Sequence, residues 1–103
     1  MYITVFITAP DRDSGRKIAR HLLERRLAAC VNMTPVSSMY WWEGKIEEAD
    51  EVLLVVKTTT DKLDQLVKEA KAVHPYQVPE VIAVPVVGGL AEYLDWVRRE
   101  THA

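Results

Sequence analysis

Residues 28 to 58 read AACVNMTPVSSMYWW, then EG, then KIEEADEVLLVVKT, and this stretch decides the fold. Ala28 to Trp42 is extended, interrupted by Pro35. Glu43-Gly44 has the composition of a tight turn. Lys45 to Thr58 returns as a second strand, strongest across Val52-Leu53-Leu54-Val55-Val56. A hairpin follows directly. At roughly 3.3 Å per residue each arm exceeds about 40 Å, longer than a small sheet needs, so its tip should project from the body.

Outward from the hairpin, strand and helix patterns alternate. Tyr2 to Thr8 is β-branched and aromatic, and Pro10 stops it. Asp11 to Leu27 places Ile18, Ala19, Leu22, Leu23 and Leu27 on one stripe, with Asp11 and Asp13 near the start and Arg25 and Arg26 near the end, as the helix dipole favours. After the hairpin, Thr60 reads as an N-cap, and Leu63, Leu66, Val67, Ala70 and Val73 recur at helical spacing until His74-Pro75. Val81 to Val87 is a fourth strand, which Pro85 assigns to an edge or a bulge. Gly88-Gly89 turns the chain, and Leu90, Tyr93, Leu94 and Val97 mark a C-terminal helix. The spacing predicts helices at about 12–26, 61–73 and 90–99. The order βαββαβ plus α is that of an α+β, ferredoxin-like split fold in a single domain spanning residues 1–103.

Two helices cover only one face of such a sheet, yet Val52–Val56 and Val81–Val84 are apolar at every position. Both faces of these strands must therefore be buried. The short last helix covers part of the second face, and a further subunit is expected on the rest. Tyr40, Trp41 and Trp42 at the projecting tip make the same demand.

Composition narrows the function. The chain has 103 residues, 49% hydrophobic and 27% charged, with a formal net charge of -2. No basic excess speaks for nucleic acid, and no apolar run approaches the roughly 20 residues of a membrane helix. The start lacks the basic region of a signal peptide. One cysteine, Cys30, excludes an intramolecular disulfide and a CxxC metal motif, and fits a reducing cytoplasm. Phosphate-loop, HExxH and GxSxG signatures are absent and no nucleophile–base pair stands out, so an enzyme is not expected. Cys30 reads either as a thiolate nucleophile or soft-metal ligand, or as a small core residue. Its apolar neighbours favour the core, and with it slow reaction with thiol reagents. His74 reads either as a helix C-terminal cap or as an imidazole metal ligand with Glu80 as a second ligand, on a loop stiffened by Pro75 and Pro79. Glu47, Glu48, Asp50 and Glu51 form an acidic run that reads either as a solvated face or as a site for hard cations such as calcium or magnesium; without the ordered spacing of an EF-hand loop, the solvated face is favoured. His21 reads as a surface histidine, and His102 sits at a terminus expected to fray.

The motifs Thr8-Ala9-Pro10, Leu27 to Asn32, Pro35, Ser38 to Lys45, Glu51, Lys57-Thr58-Thr59, His74-Pro75-Tyr76-Gln77-Val78-Pro79-Glu80 and Tyr93-Leu94-Asp95-Trp96, in this order, resemble the CutA divalent-cation tolerance family over nearly the whole chain. The resemblance implies a ferredoxin-like homotrimer with strand exchange through the long hairpin, similar in architecture to the PII signalling proteins. It implies binding of copper or another divalent cation and a role in the response to metal. Some members carry a cysteine and a second histidine where this chain has Ile7 and Val73, which leaves weak Cu(II) binding centred on His74 with Glu80 as the expectation. The alternative is a PII-like regulatory scaffold that binds a small molecule or an unidentified protein partner and has no dedicated metal site.

Overall fold

The computed structural model describes residues 1–103. Its elements are β1 (Tyr2–Ala9), α1 (Arg12–Glu24), β2 (Cys30–Trp42), β3 (Lys45–Thr59), α2 (Leu63–Val73), β4 (Val81–Pro85) and α3 (Ala91–Thr101), with a 3₁₀ turn at Thr60–Lys62. The four strands form one sheet in the order β2-β3-β1-β4. All neighbours are antiparallel. This is the expected split α+β architecture.

The register of β1 against β3 sets the core. Ile7 faces Leu54, Val5 faces Val56 and Ala9 faces Val52. Because strand side chains alternate, Ile3, Val5, Ile7 and Ala9 share one face with Leu54 and Val56, and all of these are buried. Ile18 and Leu22 of α1 and Leu66 and Ala70 of α2 close over that face. Full burial of each large aliphatic side chain contributes about 1.5–3 kcal/mol. Gly15 lets the first turn of α1 settle on the sheet: a Cβ there would lie 3.3 Å from Leu54 Cδ2 and 3.5 Å from Val52 Cγ1.

The opposite face carries Thr4, Phe6 and Thr8 from β1 and Leu53, Val55 and Lys57 from β3, all half-buried. α3 covers one end of it. The Arg98 guanidinium sits 5.7 Å from the centre of the Tyr2 ring, and the Tyr93 hydroxyl lies beside the Cys30 thiol. Cys30 is therefore only half-buried, a correction to the fully buried position its neighbours predict. Ile82 and Val84 of β4, on the same face, stay exposed.

The hairpin tip is exposed as predicted, with Trp41 at 73% and Trp42 at 57%. The molecule measures 44 × 25 × 21 Å along its principal axes. The two-residue turn is of the type that matches strand twist: Glu43 has φ 49° and Gly44 φ 79°.

Several boundaries differ from expectation, each for a physical reason. α1 ends at Glu24 rather than Arg26 because Arg26 adopts φ 58°. The Arg26 N–H then donates to the Leu23 carbonyl and the Leu27 N–H to that of Leu22, both at 3.0 Å, which is the Schellman closure with arginine where glycine is usual. Thr60 does not cap α2. Its hydroxyl donates to the Met1 carbonyl instead, and a 3₁₀ turn precedes the helix. β4 stops at Pro85, on the sheet edge predicted for it. α3 extends to Thr101, whose hydroxyl donates back to the Val97 carbonyl at 2.8 Å. His102 is tied down by a 2.8 Å contact with Asp61. His21 is half-buried and bridges α1 to Glu69 of α2 at 2.8 Å.

Glu43 occupies a left-handed position that disfavours a side chain other than Asn, Asp or Gly. Glu43→Asn is expected to stabilise the hairpin by up to about 1 kcal/mol, measured as a raised midpoint of guanidinium unfolding. A lowered midpoint would show that the Glu43 side chain has a role of its own at the tip.

Candidate functional site

The candidate site lies where the α2–β4 loop crosses the end of β1 and the root of the hairpin. Pro75 disfavours a helical His74, so His74 leaves α2 with extended backbone, φ -84° and ψ 136°. That turns the ring inward, and the residue is 8% exposed. Its Nδ1 accepts the Tyr76 N–H at 3.0 Å. With Nδ1 an acceptor, the ring proton resides on Nε2, which donates to the Thr8 carbonyl at 2.7 Å.

Tyr76 continues the network. Its ring centre lies 4.9 Å from that of His74. Its hydroxyl donates to Glu51 Oε2 at 2.7 Å. Glu51 is 7% exposed, the one member of the acidic run that is buried, whereas Glu47, Glu48 and Asp50 are solvated as expected. Burial, followed by the Glu51 carboxylate it bonds, pushes the Tyr76 hydroxyl well above its ordinary pKa. Tyr76 therefore remains a proton donor throughout the neutral range. Thr8, His74, Tyr76 and Glu51 thus form a continuous chain from the sheet through the loop to the hairpin.

The two predicted metal residues occupy different environments on this loop. His74 faces inward, with both ring nitrogens hydrogen-bonded. Glu80 is exposed just before β4. No group of three or more His, Cys, Asp or Glu side chains is arranged to hold a metal ion. The Nε2–H bond to a backbone carbonyl is nonetheless what fixes a ligating imidazole in other sites, and it leaves Nδ1 as the nitrogen with a lone pair. The residues as arranged do not fit a resident metal centre.

The Tyr76–Glu51 bond joins residues 25 positions apart and is not marked by any local motif. Its one signal is a carboxylate placed immediately before the uninterrupted apolar run from Val52, where the strand enters the body. Tyr76→Phe removes the donor and leaves the buried carboxylate without it, at a cost of about 1–3 kcal/mol in unfolding free energy. Combining Tyr76→Phe with Glu51→Leu should recover part of that loss, because no unpartnered carboxylate is then buried. Equal stability of Tyr76→Phe and the unaltered protein would refute a structural role for the bond.

Comparison with known proteins gives the family of the chain. The family profile described as CutA1 divalent ion tolerance protein matches residues 3–100. A divalent-cation tolerance protein CutA of Thermus thermophilus is 50% identical over 98 residues, covering 94% of this chain and 95% of that protein. Its Archaeoglobus fulgidus counterpart is 46% identical over 97 residues, covering 94% and 95%. The human protein CutA is 48% identical over 99 residues, but there the chain spans 55% of the relative's length. The solved structure described as the periplasmic divalent cation tolerance protein CutA from A. fulgidus superposes with a TM-score of 0.97 at 44% identity, over 99% of this chain and 100% of that one. The T. thermophilus structure gives 0.94 at 48% identity, over 97% and 98%. By sequence and by fold alike, this chain belongs to the CutA1 family of divalent ion tolerance proteins.

Proposed function

We propose that the protein acts in divalent-cation tolerance as a non-enzymatic homotrimer that takes copper or another divalent cation weakly, through His74 Nδ1 with Glu80 as the oxygen ligand. The observation that carries the reading is the His74 tautomer. Nε2–H is committed to the Thr8 carbonyl, so Nδ1 is the one ring position able to ligate. Cu(II) favours imidazole nitrogen with carboxylate oxygen. The ion must displace the Tyr76 N–H from Nδ1, and the net worth of that hydrogen bond, about 1 kcal/mol, counts against affinity. An exchangeable cation, bound as cargo, fits these terms.

The trimer is supported by the half-buried apolar residues left open on the sheet and by the exposed Tyr40-Trp41-Trp42 tip. Light scattering is expected to give about three times the chain mass of 11.7 kDa. Trp42→Ala should weaken assembly more than the fold, since loss of an aromatic anchor from a packed interface costs about 2–4 kcal/mol. A monomer mass for the unaltered protein would refute the assembly.

The metal reading is tested by titrating the full chain with Cu(II) at neutral pH. Weak saturable binding that His74→Ala abolishes and Glu80→Gln reduces is expected. Binding unchanged by His74→Ala would move the site elsewhere. A second reading, a PII-like regulatory scaffold without a metal site, draws support from the saturated hydrogen bonding of the His74 ring. Absence of copper binding by the unaltered protein would favour it.

A further inference from the structure

Beneath α3 the sheet leaves a cavity of about 220 Å³ that the His74 network does not use. Its walls include Tyr2, Thr4, Lys57, Leu90, Tyr93 and Leu94. Apolar groups predominate, and a single ammonium stands among them. Lys57 is half-buried, yet no carboxylate lies within ion-pair distance of it. Its position is fixed by the ladder: it pairs with Thr4 on one side and Cys30 on the other. These three residues therefore share the sheet face that α3 covers.

A half-buried cation without a counter-charge is unfavourable unless its head reaches water or an anion. The methylene stem of lysine can line an apolar wall while the ammonium stays at the mouth. Small-molecule sites have this composition, with apolar walls and few polar groups that set orientation. A matching ligand has one anionic head for the mouth and one short apolar body for the interior. A volume of about 220 Å³ suits a short apolar body.

We propose that the cleft between α3 and the sheet binds a small amphiphilic carboxylate, with Lys57 pairing its head and Leu90, Tyr93 and Leu94 flanking its apolar body. Cys30 does not line the cleft, but it pairs with Lys57 across the ladder and neighbours Tyr93, two residues that do, and so serves as a reporter beside it. The site is separate from the His74 loop and does not depend on metal binding.

The probe is octanoate below its micellar concentration, titrated calorimetrically into the full-length assembled protein. One saturable event per chain is expected, accompanied by slower labelling of Cys30 with a thiol reagent. Lys57→Met should weaken octanoate binding at least tenfold, while Lys68→Met, on the exposed side of α2, leaves it unchanged. Should Lys57→Met fail to fold, 1-octanol replaces it as the discriminating measurement on the unaltered protein, and should bind at least tenfold more weakly than octanoate. Equal binding of octanol and octanoate would overturn the role of Lys57. No saturable binding of octanoate by the unaltered protein would overturn the site.

Discussion

The pairing of β1 with β3 is the constraint on which the rest of the structure depends. It brings Ile3, Val5 and Ile7 onto the same face as Leu54 and Val56. A slip of one residue would turn every one of these side chains to the other face. The α1–α2 layer would lose its floor, and Gly15 would no longer meet Leu54 and Val52. The same register places Lys57 beside Thr4 under α3 and brings Thr8 to the end of the sheet where the His74 ring reaches it. Core, cavity and candidate site are thus set by one ladder.

Most of the architecture was legible in the sequence because its signals are periodic. The alternation in β1, the apolar stripe of α1 and the Glu43-Gly44 turn each follow from a local rule. The boundaries that departed from those rules did so where a long-range partner took over. Arg26 adopts a conformation usually left to glycine because Leu27 must turn inward to join the core. Thr60 resembles a cap, but the Met1 carbonyl lies closer to its purpose, 59 residues away in the chain. His102 looked terminal and free, whereas Asp61 holds it.

The candidate site was legible in part. His74-Pro75 marked the helix exit, and the burial of the ring follows from the extended backbone that proline imposes. The direction of the ring could not be read from the loop alone, since Thr8 is distant in sequence. Glu51 was obscured by its neighbours: four acidic residues within five positions look like one solvated surface, and only the start of the body at Val52 separates the buried one from the rest. Cys30 was read from its apolar neighbours in sequence, but its environment is set across the sheet by Lys57 and by Tyr93 of α3.

The Glu51–Tyr76 bond also has a mechanical consequence. It sits where the hairpin leaves the body, so it acts as the fulcrum of a lever. From Glu51 to the turn at Gly44 the arm runs seven residues, roughly 23 Å at strand rise. A tilt of about 10° at the root would carry the aromatic tip about 4 Å, by the same strand geometry. That displacement is comparable to the spacing between neighbouring strands, so where Trp41 and Trp42 sit is sensitive to small angles at the root of the hairpin.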